Sequence, residues 1–107
     1  MNCEYKKEDK LLYIQITEEI DHHTTEIMRR KMDYEITRFM PRKVVFDFSK
    51  VSFMDSAGIG LLIGRYKLAK MLGGNTNIIH ANRSIEKVLE MSGVVRIIPV
   101  NQEEQVS

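Results

Sequence analysis

Cysteine is nearly absent: Cys3 is the only one in 107 residues, so no disulfide can form within the chain. Long apolar runs are missing too, and none approaches the roughly 20 residues that a bilayer-spanning helix needs. The first ten residues, MNCEYKKEDK, are charged and lack the apolar stretch of a secretory signal. Nor is there an excess of one charge. Sixteen Lys+Arg against 15 Asp+Glu leave a net +1, which argues against nucleic acid as a bulk partner. Repeats, linkers and low-complexity segments are not found. The expectation is a soluble, cytoplasmic protein, held together by its core alone. Its length fits one domain over 1–107, with a polar tail from about residue 101. A chain of this size buries roughly two-thirds of its unfolded surface on folding, enough without metal or disulfide.

What is present alternates in type. LLYIQIT (Leu11–Thr17) reads as a strand, and NCEYKK before it as an edge strand joined through EDK. Asp21 stands where a helix N-cap would be. Met28, Met32, Ile36 and Phe39 then recur at helical spacing over Thr24–Met40, and Pro41 ends the run. KVVFDFS (Lys43–Ser49) is apolar on both faces near its centre, as in an interior strand. A second helix runs from about Ala57 to Leu72, stopped by Gly73-Gly74. TNIIHA (Thr76–Ala81) reads as a third buried strand. Ser84 can cap a short helix through Met91, and VRIIPV reads as the last strand. This order predicts an α/β domain with a mostly parallel central sheet of about four to five strands and three main helices. The loops after the strands, EEIDHH, VSFMDS and HANRS, should gather on one edge, where partners bind.

Ser56 lies in the middle loop. As an N-cap its hydroxyl would accept from the amides of Gly58 or Ile59. As a nucleophile it lacks support, because MDSAG is not G-x-S-x-G and no histidine is placed to pair with it. Gly58, Gly60 and Gly64 match no phosphate-binding loop. A helical glycine costs about 1 kcal/mol relative to alanine. Gly60 and Gly64 therefore predict a close approach, either to the sheet or to a partner beside Ser56. His22 and His23 point about 100° apart on a helix, with no ligand-spaced Cys or carboxylate, so no metal site is read there. Arg29, Arg30, Lys31 and Arg38 mingle with Glu26, Asp33 and Glu35 as on a solvated helix face.

EIDHHT (Glu19–Thr24), FMDSAGIG (Phe53–Gly60), IGRYK (Ile63–Lys67), the Gly73-Gly74 turn and EMSGVVRII (Glu90–Ile98) occur in an order that resembles the STAS domains of bacterial anti-sigma factor antagonists. DHHT, GRYK and MSG are most similar to the sporulation branch. The resemblance implies a binding protein, not an enzyme, with no cofactor. Its partners would be an anti-sigma factor that is also a serine kinase and a serine phosphatase. It implies Ser56 as the phosphorylated residue, with Asp21 in the neighbouring loop. Ala57 departs from relatives that carry a second serine there. Taken with the loop placement, the expected partner-binding residues are Asp21, His22, Asp55, Ser56, Ala57, Gly58, Ile59 and Gly60. Two alternatives stay open: an antagonist for a general-stress sigma factor, and a small Ser56-dependent hydrolase or nucleotide-binding enzyme.

Overall fold

Alternating apolar residues build the centre of the molecule. In the computed structural model, which describes residues 1–101, β1 (Asn2–Lys6), β2 (Leu11–Gln15), β3 (Lys43–Asp47), β4 (Asn75–Ile79) and β5 (Val100–Asn101) form one sheet in that order. β1 pairs antiparallel with β2, and every other pairing is parallel. The expected edge strand and mostly parallel sheet are both borne out. Apart from Asn101, the expected polar tail lies outside the described residues.

The period-2 pattern sends Leu12 and Ile14 of β2, Val44 and Phe46 of β3, and Ile78 of β4 to one face, all fully buried. Three helices lie against that face: α1 (Thr25–Phe39), α2 (Ser56–Met71) and α3 (Arg83–Ser92). Met28, Met32 and Ile36 of α1 fall at helical spacing and join the same core, as do Leu61, Leu62 and Ala69 of α2 and Ile85 and Leu89 of α3. Each of the Leu, Ile and Met side chains contributes about 1.5–3 kcal/mol by leaving water, and Ala69 less. Emptying the Phe46 site with alanine would remove about 3–5 kcal/mol. Among the described residues the other face carries a small cluster, Leu11, Val45 and Ile79 with Tyr13. At the outer edge, Tyr5 of β1 stacks on Phe39 of α1 with ring centroids 4.3 Å apart.

Local signals end the helices where expected. Met40 turns left-handed (φ 44°) after α1, its amide donating to the Ile36 carbonyl at 2.9 Å, and Pro41 follows. At the end of α2, Gly73 takes a φ of 91°, and a side chain at Gly74 would run into the Pro41 carbonyl. That glycine pair lets β4 start directly beside β3.

Four local readings need correction. Asp21 does not cap α1, because Thr24 occupies the position before the helix and Asp21 closes the turn ahead of it. α2 begins at Ser56 itself, and its cap is Asp55, whose carboxylate accepts from the Ala57 amide at 2.8 Å. α3 is capped by Asn82, accepting from the Ile85 amide at 2.8 Å, so Ser84 lies inside the first turn. VRIIPV is not a strand along its length. Val94–Arg96 forms a 3-10 turn, and Ile98 donates to the Val94 carbonyl at 2.9 Å. Val94 and Ile98, four apart, point inward while Val95 and Ile97 face out, a helical spacing inside a β-branched run.

Candidate functional site

Beyond the ends of β2 and β3 the chain makes one more pairing. Ile20 and Met54 form a parallel bridge, the Ile20 amide donating to the Phe53 carbonyl and the Asp55 amide to the Ile20 carbonyl, each at 3.0 Å. Both side chains are buried under the loops. The bridge brings the Asp21 loop and the Ser56 loop side by side. The third loop joins from the other flank, Asn82 Nδ2 donating to the Val51 carbonyl at 3.4 Å.

The Asp21 loop is held by its own polar groups. Asp21 Oδ1 accepts from the amides of His23 (2.8 Å) and Thr24 (3.0 Å), and the Thr24 hydroxyl donates to the Glu19 carbonyl at 2.8 Å. The His23 amide, helped by that of Thr24, holds the Asp21 carboxyl below the usual aspartate range. His22 and His23 are both exposed, with ring centroids 3.9 Å apart. Among the described residues no group of three or more His, Cys, Asp or Glu is arranged to hold a metal ion.

The second loop delivers Ser56. Asp55 adopts an extended backbone (φ −98°, ψ −173°) and turns the chain into α2. Gly58 is buried where a Cβ would collide with the Met54 side chain and press on Ile20. Only glycine lets the first turn of α2 sit down on the bridge. Ser56, the first residue of that turn, is exposed. Among the described residues no histidine or carboxylate is hydrogen-bonded to its hydroxyl. The site therefore offers an accessible hydroxyl at a helix N-terminus, where backbone amides and the helix dipole favour an added anion.

Of the expected site residues, Asp21, Asp55, Ala57 and Ile59 are half-buried, His22, Ser56 and Gly60 exposed, and Gly58 buried. Gly60 and Gly64 do not make the expected close approach within the chain, since a Cβ at either meets no atom within 4 Å. Sequence reasoning missed Phe53, a large apolar side chain 50% exposed, three residues before Ser56. The alternation Phe53-Met54 was the available signal, because only Met54 can face the core if the run is extended. It also missed Arg65 of α2, whose side chain is only 9% exposed and whose Nε lies 2.8 Å from Asp33 Oδ1 of α1. Burial lowers the Arg65 pKa, against the pull of Asp33. Arg29 and Arg30 do lie on a solvated face as expected, pairing with Glu26 at 2.6 and 3.2 Å.

Comparison with known proteins places this geometry. The STAS domain family profile matches residues 2–106. An anti-sigma F factor antagonist from Paenibacillus polymyxa is 35% identical over 94 residues, covering 88% of this chain and 80% of that protein. The solved structure of the anti-sigma factor antagonist SpoIIAA in its unphosphorylated form matches with a TM-score of 0.80 and 28% identity, over 97% of this chain and 90% of that one. The Bacillus cell fate determinant SpoIIAA in its phosphorylated form matches with a TM-score of 0.71 and 28% identity, over 97% and 93%. The resemblance read from Asp55-Ser56-Ala57-Gly58 and its flanks is borne out.

Proposed function

The chain belongs to the STAS domain family, and from that membership we propose that it is an anti-sigma factor antagonist of the sporulation type, switched by phosphorylation of Ser56. The unmodified form binds an anti-sigma factor that is also a serine kinase, and the bound sigma factor is released. The kinase phosphorylates Ser56 and thereby ends binding, and a serine phosphatase restores the binding form. All of this takes place in the cytoplasm. Antagonists of this family are regulatory binding proteins, not enzymes.

The observation that carries the reading is the Ile20–Met54 bridge, which sets the Asp21 loop beside an exposed Ser56 at the head of α2. The partner surface comprises Asp21, His22, Asp55, Ser56, Ala57, Ile59 and Gly60, with exposed Phe53 as its apolar contact and Gly58 positioning the turn from below. Phosphorylation adds about −1.5 to −2 charges at neutral pH. The helix N-terminus tolerates that charge, so the fold survives. A partner packed over Asp55 and Ser56 does not tolerate it.

The test is to mix the protein with the anti-sigma kinase and ATP, then locate the phosphate by peptide mass. Label on Ser56, together with loss of the complex, supports the switch. Label elsewhere, or a Ser56→Ala protein that is still labelled, overturns it.

A further inference from the structure

Gly60 and Gly64 sit inside α2 with open space where a side chain would be. Gly58 is needed by its own chain, but these two are not, although each weakens the helix. They continue a row that begins at Ser56, four residues apart and on one side of the helix. Gly60 also lines a groove of about 150 Å³ between α1 and α2, together with Thr25, Glu26, Arg29, Ala57, Leu61 and Arg65. The one carboxylate among them, Glu26, is already paired with Arg29 and Arg30. Arg65 is the unusual member of that lining. Its side chain is more than nine-tenths buried, and its Nη1 has no hydrogen-bond partner. A guanidinium keeps its charge and carries five donors, so Asp33 alone leaves it under-partnered. Arg29, across the groove, is already engaged by Glu26 at 2.6 Å and Asp33 at 3.5 Å.

We propose that this groove is the second half of the docking surface: an anti-sigma factor helix lies along Ser56, Gly60 and Gly64 and inserts an acidic side chain toward Arg65. This rests on the reading that the chain binds an anti-sigma factor. It extends the contact about 12 Å along α2 from Ser56. An apolar or basic insert would leave the Arg65 guanidinium still short of a partner, whereas a carboxylate supplies its second counter-ion. The same arrangement gives the switch its sign. A phosphoryl group on Ser56 heads the row on which the acidic helix lies, so like charges meet there.

Titration of the unphosphorylated protein and its variants against the anti-sigma factor of the same organism tests this. Gly60→Leu and Gly64→Leu should melt at or above the wild-type temperature, because leucine favours helix and has room. Both should bind at least tenfold more weakly. Arg65→Gln should also bind at least tenfold more weakly, with partial recovery in Arg65→Lys. Gly64→Leu leaves the Arg65 guanidinium in place and lies about two turns beyond Ser56, so it decides the docking row even where Arg65 variants unfold. A wild-type protein that fails to bind overturns the functional reading, and this inference with it. A wild type that binds, with both leucine variants within twofold of it, overturns the groove alone. Leucine variants that fail while a folded Arg65→Gln binds normally overturn the acidic insert.

Discussion

Ile20 and Met54 face each other across a parallel bridge that extends the β2–β3 pairing past the end of both strands, and Gly58 rests on their buried side chains. Ser56 is thus fixed from beneath by buried contacts. Gly58→Ala should push Met54 or lift the first turn of α2. The expected loss is about 1–3 kcal/mol, as for other overpacked sites. Thermal melts would measure it, and Met54→Ala in the same chain should recover part of the loss. Full stability in the single variant would show that the turn has slack.

Asp55, not Ser56, satisfies the free amide of Ala57. Asp55→Ala should therefore lower stability by about 0.5–2 kcal/mol. Ser56→Ala should stay close to wild type in urea denaturation, and it should bind the anti-sigma factor constitutively. Ser56→Asp should bind more weakly than either. Equal losses in the two alanine variants would return the capping role to the serine.

Phosphorylated and unmodified protein should melt within a few degrees of each other, because a helix N-terminus accommodates an anion. Their affinities should nevertheless differ widely. An unpaired charge at a packed interface costs on the order of 2–5 kcal/mol, which is roughly 30- to 4,000-fold. Parallel melts and binding titrations would separate a switch of charge from one of shape. A melting drop of many degrees on phosphorylation would show that the site unfolds.

Asp47 supplies a pH dependence. Burial opposes its charge most strongly, but hydrogen bonds from the Tyr13 hydroxyl and the Ser49 amide outweigh it and hold the carboxyl below the usual aspartate range. A carboxyl depressed in the folded state contributes stability above its unfolded pKa, and that contribution disappears as pH falls through the folded value. Stability should thus be fully present above the ordinary aspartate value of about 3.9 and decline as pH falls below it. Tyr13→Phe should make that decline shallower. Denaturation midpoints for both proteins across the acid range would check it, and identical slopes would refute the role of Tyr13.

Elements with a sustained period are legible in the amino-acid pattern. Leu12, Ile14, Val44 and Phe46 alternate, and Met28, Met32 and Ile36 repeat at helical spacing, so their type and buried face follow from spacing alone. The caps are not. Asp55 and Ser56 are adjacent and chemically equal to the task, and only the extended backbone at Asp55 decides between them. Asn82 and Ser84 pose the same ambiguity. VRIIPV misleads because β-branched residues suit strands, while Gly93, left-handed at φ 81°, starts a tight turn there. At the site, Ser56 and Asp21 can be named from the chain, but their alignment depends on a long-range backbone pairing that no local signal announces. Arg65 is hidden for a similar reason, since Asp33 reaches it from another helix.

The bridge between Ile20 and Met54 is made of main-chain groups, and so is much of what places Ser56. The side chains of His22 and Phe53 are exposed and lie outside that main-chain pairing. Related chains can therefore diverge at such exposed positions without disturbing where Ser56 is placed. Under the function proposed above, partner choice would then change by surface mismatch while the presentation of the serine stays the same.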